Sequence, residues 1–117
     1  MELDFIDNIN EYGENVVRLY NFDKHEAIQF RDLIKDTIVD KKQKLILSQV
    51  DFIETRNCNL ILGLFKTDEG IFSVDQKTFY CALTLEGYHT MLKLIEPFCN
   101  KDSRGYQYLY DLSLIHI

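Results

Sequence analysis

The chain has 117 residues, of which 46% are hydrophobic and 27% are charged, and its formal net charge is −6. This length and balance are typical of one soluble globular domain, and they exclude a disordered or collagen-like chain. The acidic balance argues against nucleic acid or an anionic membrane surface as a partner, and no apolar run reaches the roughly 18 residues of a membrane-spanning helix.

The cysteines are Cys58, Cys81 and Cys99, which lie far apart and form no CxxC motif. An odd number of widely spaced cysteines is not typical of a disulfide framework. The first residues also lack the basic and apolar regions of a secretion signal. We therefore expect a cytoplasmic protein, since thiols remain reduced in that compartment.

The chain begins with two short predicted elements. In residues 3–12, apolar side chains recur among acids, which predicts an amphipathic helix that ends at Gly13. The β-branched and aromatic residues of 15–22 predict a strand.

The second predicted helix has the clearest pattern in the sequence. Asp23 precedes Glu26 by three residues, as in a capping box, and predicts a helix from there to about residues 40–42. Its apolar residues are spaced by three and four, which indicates one buried stripe. They are Ala27, Phe30, Leu33, Ile34, Thr37 and Ile38.

Four strands are predicted next, at 44–53, 59–66, 71–74 and 78–83. The run at 59–66 is almost continuously apolar, which is typical of a central strand. Because only tight turns separate the last three strands, we expect them to form an antiparallel meander.

Thr84 and Glu86 favour the start of another helix, which Pro97 should bring to its last turn. A polar loop and a strand at 106–110 follow. The expected fold is a two-layer α+β sandwich in the order α-β-α-β-β-β-β-α-β, with helices on one face of a mainly antiparallel sheet.

The last six residues, 112–117, read LSLIHI. Back-translated as CTG TCT CTT ATA CAC ATC, they match the end of a widely used transposon-based sequencing adapter. We therefore expect the native domain to cover 1–111, with a C-terminus truncated by read-through, as in a metagenomic fragment. The alternative is a genuine apolar strand.

No nucleophile elbow, P-loop or dinucleotide fingerprint is present, so catalytic residues can only be weak candidates. They are His25, Glu26, Cys81 and His89. The histidines and Glu26 lie in early turns of the two long helices, and Cys81 lies in the strand before the second. No HxxxH or HExxH spacing occurs, so we expect neither a metal nor a cofactor.

The tyrosines at 106, 108 and 110 would share one face of the last predicted strand, just after Arg104. Tyrosine combines apolar area with a polar tip, which suits an interface. Arg104, Tyr106, Tyr108 and Tyr110 are therefore the predicted partner-binding residues. The alternative is that the three rings pack under a helix.

Two functional hypotheses follow. The leading one is a small, acidic, non-enzymatic module that binds another protein or itself, of which an immunity or antitoxin-type inhibitor would be one version. The alternative is a small enzyme or enzyme subunit, with a His/Glu or Cys/His site between the long helices and the sheet. The alternative requires His25, Glu26 and His89, or Cys81 and His89, to converge in a pocket.

Overall fold

Two four-stranded sheets and two helices make up the fold of the computed structural model. It describes residues 1–6, 16–73 and 75–100, and the backbone of 115 and 116. The helices are α1, Lys24–Ile34, and α2, Leu85–Asn100. The strands are β1, Glu2–Ile6; β2, Val16–Tyr20; β3, Leu45–Ile46; β4, Glu54–Thr55; β5, Asn59–Leu64; β6, Gly70–Phe72; β7, Thr78–Leu83; and β8, Ile115–His116.

The first sheet has the order β4-β1-β2-β8, with β1 and β2 antiparallel and the two outer strands parallel to their neighbours. Leu3 and Leu19 face each other across the sheet and point into the core. On the other face, Asp4 lies opposite Arg18 and accepts two hydrogen bonds from its guanidinium, of 2.7 and 2.9 Å. Oppositely charged partners directly across a sheet stabilise this register.

The predicted helix at 3–12 is wrong for the residues that the structure describes, because residues 3–6 belong to β1. Leu3 is fully buried while its neighbours Glu2 and Asp4 are only half-buried, which is the two-residue alternation of a strand. The rest of the predicted helix lies outside the described residues.

The predicted helix after Asp23 is confirmed as α1. The Asp23 carboxylate accepts a hydrogen bond from the Glu26 backbone N–H at 2.9 Å, which is the expected N-cap. Beyond Ile34 the chain continues as a π-helical segment, Lys35–Asp40, whose Ile38 is fully buried. One buried stripe therefore runs through both segments, as the spacing of the apolar residues predicts.

The second sheet has the order β3-β5-β7-β6. Its central strands β5 and β7 are parallel, and β6 lies antiparallel to β7 at the edge. The predicted antiparallel meander is therefore wrong. The two long apolar runs, β5 and β7, take the central positions, because a strand there has a neighbour on each side that shields it from solvent. The three-residue β6 lies at the edge. The strand expected at 44–53 shrinks to β3, since Leu47–Gln49 forms a short 3-10 turn.

The start of α2 is fixed by a side chain from the loop between β5 and β6. One oxygen of Asp68, Oδ1, accepts hydrogen bonds from the Thr84 backbone N–H at 2.7 Å and from its hydroxyl at 2.9 Å. Thr84 in turn accepts from the Gly87 N–H at 3.1 Å. A Cβ on Gly87 would lie 2.7 Å from that Asp68 oxygen, so the glycine inside this helix makes room for the cap.

One hydrophobic core joins both sheets to both helices. The Phe5 ring of the first sheet packs on Phe79 of the second, with ring centroids 4.8 Å apart. The mixed α+β class is thus confirmed, but the expected single sheet and the expected order of elements are not found. The fully buried side chains of this core include Leu3, Leu19, Phe30, Ile34, Ile38, Leu60, Leu62, Leu83, Tyr88, Met91 and Ile95.

Candidate functional site

The two candidate histidines lie on different helices, His25 on α1 and His89 on α2. Phe22, just before α1, packs on Phe98 near the end of α2 with ring centroids 5.8 Å apart. His25 follows in the first turn of α1, whereas His89 precedes Phe98 by nine residues, a distance of about 13 Å along a helix. Both histidines are exposed. The convergence of the two histidines in one site stays a prediction.

Cys81 is buried in the core and is a poor nucleophile. Burial raises the pKa of its thiol to about 12, so the reactive thiolate is scarce at neutral pH. Burial also raises the pKa of the Cys58 thiol, to about 11. The burial of Cys81 thus favours its interpretation as a core residue over its interpretation as the nucleophile of a Cys/His site.

Glu26 binds the amino group of Met1. Its Oε2 lies 2.6 Å from the amine, which also donates to the Phe52 carbonyl at 3.1 Å. The Met1 side chain is fully shielded from solvent, and the Glu26 side chain is 25% exposed. This carboxylate therefore joins the residue before β1 to α1.

We expect Glu26→Gln to lower the free energy of unfolding by about 1–2 kcal/mol, because the amine loses its charged partner. The matched control is Glu96→Gln, which breaks an exposed pair with Arg31 and should cost at most about 0.5 kcal/mol. Urea denaturation of both variants, with the Met1 amine chemically unmodified, measures the two losses of stability. Equal losses in the two variants would contradict this role for Glu26.

The part of the chain that the structure describes contains no group of three His, Cys, Asp or Glu side chains placed to hold a metal ion. Nor does any helix within the described ranges combine the length and apolar character needed to cross a membrane. The predicted partner-binding residues Arg104, Tyr106, Tyr108 and Tyr110 all lie outside the described residues.

The second sheet has one face against the core and one face that is partly exposed. Leu60, Leu62, Cys81 and Leu83 point into the core. We call the opposite face the open face. It is formed by Lys44, Ile46, Ile61, Gly63, Phe65, Gly70, Phe72, Tyr80 and Ala82.

Two adjacent rows of residues give the open face its relief. The first row, which we call the ridge, crosses all four strands and consists of Ile46, Ile61, Tyr80 and Phe72. The second row, which we call the trough, consists of Gly63, Ala82 and Gly70. Trough residues have little or no side chain, so this row lies lower than the ridge; Gly63 is half-buried, whereas Gly70 and Ala82 are buried.

Aromatic rings surround the trough. Phe72 and Tyr80 stack with their centroids 5.6 Å apart and an angle of 18° between their planes. Together with Phe65 they border a hollow of about 160 Å³ whose floor includes Gly63 and Ala82. A volume of this order accommodates one benzene-sized ring.

Among the described residues, Lys44 is the only charged one that borders this hollow. Its Cγ lies 3.4 Å from the position of a Cβ on Gly63, so its aliphatic stem lies along the trough. The long stem of a lysine can cover apolar surface while its ammonium group stays in water. The open face is thus mainly apolar, with a positive charge at its border.

Two further hollows lie elsewhere in the described structure. One, of about 170 Å³, lies between Phe5 and Val17 of the first sheet and Ile71 and Phe79 of the second. The other, of about 380 Å³, is a shallow depression beside β3. None of these three hollows is lined by His25, Glu26 or His89.

The sequence contained a partial signal for the open face. The alternation of β7 places Tyr80 on one face of the sheet and Phe79 and Cys81 on the other. The strand could therefore be predicted, but not which of its faces the helices cover.

Comparison of the chain with protein-family models, with curated proteins and with solved structures gives no significant match.

Proposed function

We propose that this chain is a protein-binding module that associates with a second copy of itself through the open face. The observation that carries the proposal is the group of exposed aromatic rings on that face. Phe65, Phe72 and Tyr80 are 45%, 48% and 38% exposed. With roughly 200 Å² for each aromatic side chain, they leave roughly 250 Å² of ring surface in water. Patches of this kind on a monomer are often binding sites.

A second copy suits this face because two sheets can pack face to face at about 10 Å, as they do in β-sandwiches. A row of apolar side chains with a single charge at its border favours an apolar partner surface over a charged ligand. Another copy presents such a surface, and its trough offers space for the rings.

The association should be weak. A standard interface buries about 800 Å² on each partner, and the exposed rings supply only part of that area. Each copy also carries a net charge of −6, so the copies repel each other at low ionic strength. We therefore expect a dimer with a Kd on the order of 100 μM that becomes tighter as salt screens the repulsion.

Sedimentation equilibrium of the full chain, from about 5 to about 500 μM, tests the proposal. The variant is Tyr80→Asp on the ridge, and its control is Leu85→Asp on α2. Both residues are 38% exposed, and both substitutions add one negative charge. Wild type and Leu85→Asp should dimerise alike, whereas Tyr80→Asp should bind at least about tenfold more weakly, since a carboxylate would be buried.

A wild-type chain that remains monomeric at every concentration would refute self-association. Equal dimerisation of the two variants would refute the open face as the contact. Thermal unfolding of each variant, followed by circular dichroism, confirms that the comparison is between folded proteins.

The compartment is also part of the proposal. The three cysteines are free and buried in the described structure. Free thiols persist in a reducing environment, which supports a cytoplasmic location for the module.

A further inference from the structure

We infer that the two copies meet across a two-fold axis that places the ridge of each copy in the trough of the other. This inference rests on the proposed self-association and specifies its geometry. Tyr80 of one copy would lie over the partner's Ala82, and Ile61 over the partner's Gly63.

The register of the strands fixes the spacing of the two rows. Ile61 is paired with Tyr80, and Gly63 with Ala82, in the parallel ladder of β5 and β7. Ridge and trough are therefore two residues apart along each strand, which is about 7 Å. Phe72 and Gly70 continue the same two rows on β6.

Only one orientation of an in-plane two-fold axis matches the rows to each other. An axis that crosses the strands midway between ridge and trough exchanges the two rows, so that each ridge faces a trough. An axis along the strands would leave each row facing itself and would bring ridge side chains into collision. Closed two-fold contacts use the same patch on both copies, and this face meets that requirement.

The dimensions of the hollow agree with this arrangement. The hollow has a volume of about 160 Å³ and lies between the ridge and Phe65, with Gly63 and Ala82 on its floor. One aromatic ring fills a cavity of that order. The two-fold axis would direct Tyr80 of one copy toward that space in the other, and Ile61 would contact the glycine beside it.

An exchange of volume between the two rows tests the geometry. Gly63→Val fills the trough, and Ile61→Ala shortens the ridge at the position that faces it. A Cβ on Gly63 comes no closer than 3.4 Å to the flexible Lys44 side chain, so Gly63→Val should fold. Should it not, Ala82→Val with Tyr80→Ala makes the same exchange on β7.

Each variant alone should dimerise at least about tenfold more weakly than wild type, since both copies of the Ile61-to-Gly63 contact are damaged. In an equimolar mixture the heterodimer joins an intact ridge to an intact trough, and a shortened ridge to a filled trough. Native mass spectrometry separates the heterodimer from both homodimers by mass. We expect the heterodimer to exceed both homodimers by at least about tenfold.

Three results would overturn the inference. If Gly63→Val dimerises like wild type, the trough lies outside the contact. If both variants weaken the dimer but the mixture forms no excess heterodimer, the open face self-associates in another geometry, and the proposed function stands without this arrangement. If wild type itself is monomeric, the proposed function fails as well.

Discussion

Tyr88→Phe should lower the free energy of unfolding by about 2–3 kcal/mol, although it removes a single oxygen atom. The Tyr88 ring is fully buried on α2, and its hydroxyl reaches the backbone of the two central strands. It accepts a hydrogen bond from the Gly63 N–H at 2.8 Å and lies 2.6 Å from the Cys81 carbonyl and 3.0 Å from that of Gly63. Phenylalanine fills the same space but leaves buried backbone groups without this partner.

The control for this substitution is Tyr80→Phe, which removes the same atom from the partly exposed ridge and should change stability by less than about 0.5 kcal/mol. Urea denaturation at low micromolar concentration measures both variants below the expected range of dimerisation. A loss in Tyr88→Phe no larger than that in Tyr80→Phe would show that the hydroxyl does not hold α2 to the sheet.

The second large effect concerns thiol reactivity. In the folded chain Cys81 should react with iodoacetamide at pH 8 roughly 1000-fold more slowly than an ordinary exposed thiol. The cause is burial, which raises its pKa from 9.0 to about 12 and so depletes the thiolate. Cys58, whose pKa is raised to about 11, should also be slow.

Peptide mapping by mass spectrometry after timed labelling resolves the sites, and the chain unfolded in urea supplies the reference rate for each cysteine. In urea, Cys58, Cys81 and Cys99 should react at similar rates. Labelling of Cys81 in the folded chain as fast as in urea would contradict its place in the core. It would also restore the enzyme alternative with a cysteine nucleophile.

Local signals made α1 predictable. Its N-cap depends on Asp23 and Glu26, which are three residues apart, and its buried stripe repeats within the same segment. The prediction for the residues of β1 was wrong for the opposite reason. Too few apolar residues were available there to distinguish a strand period of two residues from a helix period of 3.6. The acids between them suit either structure.

Pairing between distant segments could not be predicted in the same way. The sequence indicated that 59–66 and 78–83 form strands, but not that they lie side by side in parallel, with β6 outside them. That choice depends on which apolar runs compete for the centre of the sheet. The turn at residues 67–70 suggested a hairpin that the fold does not use.

The candidate surface shows the same limit. The sequence drew attention to the tyrosines at 106, 108 and 110, whereas the exposed rings that the structure describes lie on β6, on β7 and just after β5. Tyr80 and Phe72 become neighbours only through the register of two strands. Their exposure depends on which face the helices cover, which no single strand reveals.

The central claim is that the open face is a contact surface between two copies. A dilution series of ¹⁵N–¹H correlation spectra on the full chain tests it residue by residue. The amide signals of Gly63, Phe72, Tyr80 and Ala82 should move with concentration, while those of Leu85 and His89 on α2 should stay fixed. Spectra that do not change with concentration, or that change at α2 and not on the open face, would contradict the account.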